Sequence, residues 1–301
     1  MKIKGSAGLS IKNIGIISIA VYVLLTALRI YQTFTMIDGQ TGFFTVDNFS
    51  VPLMYILAVV PVILMIAMCF VCGDLPAGDI NKKASVPAGI ISAVFGISLL
   101  LDGISSLKTV LANGMGTEYA KELTGGNLGM VAMVFAFLGA LALAVQSIFA
   151  FRGASLPSFM KLPVLFPVGW AFAKTLAFFS ITVSYVKVSQ LLLSIFASVF
   201  LMLFLFENAR ITADVEKKNS VWFFYATGII TAGLSFAASV PLLLASLFAP
   251  EKECIYCGFE LYMLLGGIYA VSQLIFRSAT IVETSVIENE SLVTEDGTET
   301  E

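Results

Sequence analysis

The sequence contains little charge for its length. Only 12% of its 301 residues are Asp, Glu, Lys or Arg, whereas a typical soluble domain has about 25%. Hydrophobic residues make up 58% of the chain, and the mean hydropathy is +0.94. The charged residues are too few to cover a soluble globule of this size, so the apolar surplus predicts contact with lipid. A soluble enzyme, a nucleic-acid-binding protein and a disordered scaffold do not fit this composition.

The sequence also contains no histidine. This excludes histidine-ligated metals, a haem held by a proximal histidine and a Ser-His-Asp triad. Neither a Walker A motif nor a GxGxxG motif is present, so the chain contains no ATPase motif. We therefore predict no catalytic residue, no metal and no cofactor, and we do not expect an enzyme.

Eight stretches are long and apolar enough to cross a bilayer, which takes about 20 residues of helix. They lie at residues 13–35, 52–72, 86–107, 127–150, 162–185, 188–206, 221–248 and 259–276. The fifth is the weakest, because Lys174 interrupts it and two prolines lie at its start. The N-terminal lysines and apolar run resemble the start of a signal peptide, but no A-x-A-like site follows, which favours a retained anchor. The predicted fold is an all-α integral membrane protein with eight transmembrane helices.

The distribution of Lys and Arg between the predicted loops indicates the orientation. With the N-terminus inside, four of these residues lie outside and eleven lie inside. We therefore predict that both termini are cytoplasmic, in a multi-pass protein of a cell membrane such as a bacterial plasma membrane. Residues 278–301 contain seven acidic residues and no Lys or Arg. This composition predicts a disordered acidic cytoplasmic tail, with partner binding as the alternative.

Parts of the chain repeat. The pattern D-[IV]-x-K-K-x-S-V at 79–86 returns at 214–221, and the spans that follow share the motif G-I-I-[ST]-A. In the same order, span four ends on 144–152 and span eight ends on 270–277, and both segments run from Ala-Val to Phe-Arg. Matches in the same order indicate a tandem duplication.

The duplication predicts two halves of four spans each. Repeat one covers 1–152, with three spans within 1–126 and the fourth at 127–150, and repeat two covers 153–277. Four is an even number of crossings, so both halves insert with the same orientation. The predicted 4+4 arrangement is therefore a parallel repeat, with its pseudo-two-fold axis along the membrane normal.

Three charged residues lie away from the ends of the predicted spans, namely Arg29, Asp102 and Lys174. Such residues are costly in a membrane and indicate function by default. By helical rise, all three can meet in the outer half of the membrane with Asp102 between two cations. The functional interpretation is a polar site at the repeat interface that binds an anion or relays protons. The alternative is an Arg29–Asp102 pair that locks helices while Arg29 and Lys174 extend toward the interface.

The repeated loops have two interpretations. They can dock a partner subunit, or they can fix topology and attract anionic lipid headgroups, with Ser85 and Ser220 as helix N-caps. The candidate contact residues for a partner or for lipid are the acids and paired lysines of the two loops: Asp79, Lys82, Lys83, Asp214, Lys217 and Lys218.

The four cysteines form two C-x-x-C pairs, Cys69–Cys72 and Cys254–Cys257. This spacing is typical of redox and metal sites. The pairs lie at opposite faces of the predicted membrane, which argues against a shared four-ligand metal site and against electron relay. We predict a disulfide-closed turn for Cys254 and Cys257, and a packing role for the inner pair.

The predicted function is that of a transporter-like membrane protein with a polar site at the repeat interface. Because the chain has no ATPase motif, transport is secondary or depends on a separate subunit at the cytoplasmic loops. The alternative is a non-transporting membrane subunit or scaffold that works with partner proteins. The expected partners are the lipid bilayer and a partner subunit or a second copy of the chain, and nucleic acid is not among them.

Overall fold

The computed structural model describes residues 5–38, 44–45, 49–71, 85–113, 127–154, 156–180, 188–213, 215, 220–249 and 260–277. The described residues form α-helices, two short 3₁₀ helices and one isolated β-bridge between Ile37 and Phe44, and they include no β-strand. Long apolar sequences without polar alternation favour this outcome, because a helix satisfies its backbone hydrogen bonds within one segment.

Eight α-helices run through the described residues. They are α1 (Gly5–Thr35), α2 (Ser50–Val71), α3 (Ser85–Asn113), α4 (Asn127–Phe151), α5 (Phe166–Ser180), α6 (Val188–Thr212), α7 (Ser220–Phe248) and α8 (Leu261–Arg277). The 3₁₀ helices Ser158–Met160 and Leu162–Leu165 precede α5. Pro163 and Pro167 lie in this segment and lack the N–H groups that a continuous α-helix needs there.

Seven of the helical segments are long and apolar enough to cross a membrane. The all-helical, multi-pass part of the predicted fold class is therefore confirmed. The predicted fifth span, 162–185, overlaps the segment Ser158–Phe179, which combines the 3₁₀ helices with α5. Helix α8 has 17 residues and corresponds to the predicted eighth span. The eighth crossing, the repeat and the side on which the termini lie stay predictions.

Helix α7 lies at the centre of the bundle. In its most apolar 18-residue stretch, 72% of the residues are buried, against 22% in the corresponding stretches of α1 and α2. It packs against α1, α2 and α6, while α3 packs against α4 and α4 against α5. The outer helices expose large apolar side chains, such as Ile16 and Val23 of α1, and these are the surfaces suited to lipid.

Helix α8 contacts α3, α5 and α6 through aromatic side chains. The ring of Tyr269 stacks on Phe95 of α3 at 5.0 Å between ring centroids and meets Phe204 of α6 at 6.1 Å. Near its first turn, Tyr262 makes an edge contact with Trp170 of α5 at 4.9 Å. Helix α8 therefore brings side chains from α3, α5 and α6 together along one line.

Candidate functional site

Asp102 of α3 and Lys174 of α5 meet in an ion pair. The Nζ atom of Lys174 lies 2.9 Å from Oδ1 of Asp102. Trp170 lies one turn before Lys174 on α5, and its indole N–H donates a hydrogen bond of 3.1 Å to Oδ2 of Asp102. The spacing of four residues places both donors on one face of α5, so a single helix holds both oxygens of this carboxylate.

A second carboxylate, Glu260, joins this pair. It directly precedes α8, and its Oε1 atom lies 3.9 Å from Nζ of Lys174. The hydroxyl of Tyr262 donates a hydrogen bond to Oε2 of Glu260. We refer to Asp102, Trp170, Lys174, Glu260 and Tyr262 as the Lys174 cluster.

Sequence reasoning missed Glu260. The residue lies at the start of the predicted span 259–276, and a carboxylate at a span end is ordinarily assigned to the interface. The available signal was its side of the membrane, because the predicted topology places the start of span eight and the outer part of span three at the same face. That signal does not specify which of the loop acids in this region approaches Lys174.

Arg29 does not belong to the Lys174 cluster. Its guanidinium donates to the side-chain oxygens of Gln32 at 3.1 Å and Gln190 of α6 at 2.5 Å. Among the described residues it contacts neither Asp102 nor Lys174, so the expected cluster of Arg29, Asp102 and Lys174 does not form. The alternative Arg29–Asp102 lock does not form either. The reason is helix packing, because α1 packs against α2 and α7, away from the Asp102 side chain of α3.

Two glutamines anchor Arg29 to three further elements. Gln32 donates to the backbone carbonyl of Ser50 at 2.9 Å, and Gln190 donates to the carbonyl of Ala238 at 3.0 Å. Ala238 lies three residues before Pro241, where α7 lacks one backbone donor. We refer to Arg29, Gln32 and Gln190 with these two carbonyls as the Arg29 cluster. It ties α1 to α2, α6 and α7 and contains no carboxylate.

The charge at the candidate site therefore differs from the expectation. The sequence predicts two cations around one carboxylate, whereas the structure places two carboxylates around the ammonium of Lys174. The side chains of Lys174, Asp102 and Glu260 are 19%, 13% and 27% exposed. An excess of negative charge in a partly open position attracts a cation, not an anion.

A second polar network lies near the end of α8. Arg277 donates to Asn208 at 3.2 Å and to the hydroxyl of Thr212 at 3.1 Å, and Asn208 donates to the hydroxyl of Tyr269 at 3.0 Å. A small cavity lined in part by Gln146, Asn208 and Tyr269 has space for about one water molecule. Sequence reasoning placed Arg277 among the topology signals and missed this network, which we call the Tyr269 network.

Phe95 separates the two polar regions. Its ring stacks on Tyr269 of the Tyr269 network and meets the edge of Trp170 of the Lys174 cluster at 6.4 Å. Both Phe95 and Trp170 are fully buried. The buried ring of Phe95 thus lies between the partly exposed charges of the Lys174 cluster and the Tyr269 network, and we refer to this ring as the Phe95 layer.

The remaining predicted site residues lie outside the described part of the chain. These are Asp79, Lys82, Lys83, Asp214, Lys217, Lys218, Cys72, Cys254 and Cys257. The described member of the inner cysteine pair, Cys69, is buried, and its thiol donates to the carbonyl of Met65 at 3.3 Å. Within the described ranges no group of three or more His, Cys, Asp or Glu side chains is arranged to hold a metal ion.

Comparisons of the chain with family models, with curated proteins and with solved structures found no match. The functional argument therefore depends on the geometry of the clusters.

Proposed function

We propose that the protein is a transporter-like, multi-pass protein of a cell membrane, and that the Lys174 cluster binds the transported or coupling cation. The observation that carries this proposal is the second carboxylate, Glu260, beside the Asp102–Lys174 pair. A lysine that only neutralises a buried aspartate needs no further acid. Two carboxylates around one ammonium leave a negative charge that a bound cation would compensate.

The position of the Lys174 cluster supports access from one side. Its three charged side chains are partly exposed, whereas Tyr269 and Arg277 at the other end are buried. Along α8, Tyr262 and Tyr269 are seven residues apart, which is about 10 Å of helix. Two polar regions at that separation, with the Phe95 layer between them, are the arrangement expected of a transport path closed at one level.

Packing near the cytoplasmic ends supports the 4+4 repeat. The shared G-I-I-[ST]-A motif begins at Gly89 in α3 and at Gly228 in α7. A Cβ atom on Gly89 would lie 3.1 Å from the carbonyl oxygen of Ser147 in α4, and one on Gly228 would lie 2.8 Å from Leu274 in α8. When the two segments are aligned on Ala-Val, Leu274 matches Ile148, the residue after Ser147, so the two contacts agree to within one residue.

The same correspondence continues two turns further on. Gly96 would bring a Cβ atom within 3.4 Å of the carbonyl of Ala140, and Gly267 would bring one within 3.0 Å of Ser235. Gly96 and Ser235 each lie seven residues beyond the first glycine of their motif. The α3–α4 and α7–α8 pairs therefore pack in closely similar registers, which supports two parallel halves and eight crossings. An even number of crossings would put both termini on one side, and the Lys and Arg bias favours the cytoplasmic side.

The alternative is a non-transporting subunit or scaffold. It is favoured by the contacts of Asp102, whose two oxygens are both bonded, to Lys174 and to Trp170. A carboxylate whose two oxygens are both bonded in this way can have a purely structural role, which is to hold α3 against α5. In this case the loops at 79–86 and 214–221 and the acidic tail would contact a partner.

A measurement of charge movement across the membrane distinguishes the transporter from the non-transporting subunit. The purified full chain is reconstituted into liposomes and examined by solid-supported-membrane electrophysiology, with concentration jumps of NaCl, KCl, methylammonium chloride and HCl. A transporter with its cation site at the Lys174 cluster gives a transient current for at least one of these cations. Glu260→Gln abolishes that current, because the variant removes the excess negative charge.

The matched control is Glu207→Gln. Glu207 is a carboxylate of α6 that pairs with Arg210 at 2.7 Å, and neutralising it leaves the current unchanged. Protein-free liposomes define the background. No current above this background for any of the cations, together with a stoichiometric second polypeptide in native mass spectrometry, would establish the subunit instead.

A further inference from the structure

The ammonium group of Lys174 lies in a cage of carboxylates and aromatic rings. Besides Asp102 at 2.9 Å and Glu260 at 3.9 Å, the ring centroids of Tyr262 and Phe178 lie 5.0 and 5.9 Å from Nζ. Contact with the face of an aromatic ring within about 6 Å attracts a cation. Four side chains from α3, α5, α8 and the residue before α8 thus surround one ammonium.

The cage is held together without Lys174. The second oxygen of Asp102 accepts a hydrogen bond from Trp170, and the second oxygen of Glu260 accepts one from Tyr262. Each carboxylate is therefore oriented by its own aromatic donor and presents its other oxygen to the ammonium. The Trp170 and Tyr262 rings also pack edge to face at 4.9 Å, so the walls support each other if the lysine side chain leaves.

The side chain of Lys174 is not fully enclosed. Its side chain is 19% exposed, and a four-carbon stem can carry the ammonium toward water without moving the helix. Vacating the cage would leave two negative oxygens and two ring faces. The vacancy would then fit another ammonium group of similar size.

We infer that the Lys174 cluster is a binding site for an organic ammonium group, which takes the position of the Lys174 ammonium when it binds. This inference rests on the proposed function and names its substrate class. Weakly hydrated organic cations gain more from ring faces than Na⁺ does. A hard metal cation takes six or more oxygen ligands, whereas this cage presents two carboxylates. No covalent step is involved, since one ammonium replaces another.

The test is chemical rescue of a Lys174→Ala variant. The variant removes the tethered ammonium and leaves the two carboxylates facing each other, so its unfolding temperature in detergent falls below that of the unsubstituted chain. We expect n-butylammonium chloride to raise the unfolding temperature of Lys174→Ala by at least about 3 °C, because a ligand that binds only the folded state stabilises it. The same salt raises that of the unsubstituted chain by less, because there it must displace Lys174.

Three controls separate the possible causes. Butan-1-ol has the same alkyl chain without the charge and should give no rise, and NaCl at matched ionic strength should give none either. A Lys174→Ala/Glu260→Gln double variant should lose most of the rescue. Equal rises with NaCl or with butan-1-ol would overturn the inference.

Failure of the inference is distinguishable from failure of the proposed function. Currents on a NaCl or HCl jump, without any rescue by n-butylammonium, would leave a cation transporter of another substrate class. If Lys174→Ala does not fold, the unsubstituted chain decides the matter. An unfolding temperature that n-butylammonium chloride shifts no more than NaCl does would then contradict the organic ammonium site.

Discussion

Arg29 and Lys174 are the two cations that lie well within the predicted spans, and their surroundings differ in kind. Lys174 faces two carboxylates in a partly exposed position, whereas Arg29 is 1% exposed and faces two glutamine side chains. The amides of Gln32 and Gln190 are themselves fixed to backbone carbonyls. Arg29 therefore closes a rigid network of four helices, while Lys174 occupies a cage that can be filled in another way.

The comparison shows that an ionisable residue within a span is not by itself a sign of a ligand site. The kind of partner and the access to solvent decide its role. A guanidinium held by neutral amides at full burial has no route for exchange, and its removal should act on stability. Removing an ammonium that is held by charged oxygens near an opening should instead affect ligand binding. The following variants test this division, in order of decreasing expected effect.

The largest effect is expected for Gln190→Leu. This variant removes the 2.5 Å acceptor of a buried guanidinium and the donor to Ala238. A hydrogen bond to a charged group contributes about 1.5–3 kcal/mol, and an orphaned buried acceptor adds to the loss, so we expect about 3 kcal/mol of destabilisation in a denaturant titration. Adding Arg29→Met should recover at least half of it, because the charge leaves with its acceptor. A double variant as unstable as the single one would contradict a structural role for Arg29.

A smaller loss is expected for Gly233→Ala at the α1–α7 contact that supports the Arg29 cluster. A Cβ atom there would lie 2.1 Å from the ring of Tyr22, so the ring must move. Overpacking of this kind costs about 1–3 kcal/mol, measured as a lower unfolding temperature in detergent. Gly15→Ala is the matched control, because the nearest atom on α7 lies at 3.9 Å. Equal behaviour of the two variants would show that this contact is not tight.

Substitutions of the two carboxylates of the Lys174 cluster should differ in their effect on protein stability but have the same effect on cation binding. Asp102→Asn weakens the 2.9 Å ion pair and should cost about 1 kcal/mol, whereas Glu260→Gln, at 3.9 Å, should cost less than half of that. Both variants should abolish the cation-induced currents of the reconstituted protein. Currents that persist in Glu260→Gln would mean that the second carboxylate is only a surface charge.

The smallest effect is expected for Phe178→Leu. The ring lies 5.9 Å from the ammonium and contributes about 0.5–1 kcal/mol as a cation–π partner. Its removal should weaken binding of methylammonium by roughly two- to fivefold, with a smaller change for Na⁺. The measurement is a pair of concentration series of transient currents. An equal change for both cations would indicate altered packing of α5 instead.

Much of the fold was predictable, because membrane helices are specified by length and apolar composition. Seven of the predicted stretches correspond to helices able to span a membrane, and the eighth corresponds to α8. The predicted fifth span was the least regular, and it is the one that begins with a 3₁₀ turn at Pro163, with Pro167 in the first turn of the α-helix that follows. These features depend on local sequence alone.

The site was only partly predictable, because helix neighbours are set by packing. Rise per residue gave the depth of Arg29, Asp102 and Lys174, but depth does not say which helices touch. The packing of α1 on α7 separates Arg29 from the other two, and the start of α8 supplies Glu260. The glutamines that bind Arg29 could not be identified as its partners from the sequence, because single amides in apolar stretches follow no pattern.

The central claim, that the Lys174 cluster binds a cation, can be tested directly by the fluorescence of Trp170. The chain has two tryptophans, so Trp222→Phe leaves Trp170, which donates to Asp102, as the sole indole. Titrating this protein with methylammonium chloride should give a saturable change in fluorescence that a further Glu260→Gln removes and a further Glu207→Gln does not. Fluorescence that does not change, or a change that survives Glu260→Gln, would contradict the account.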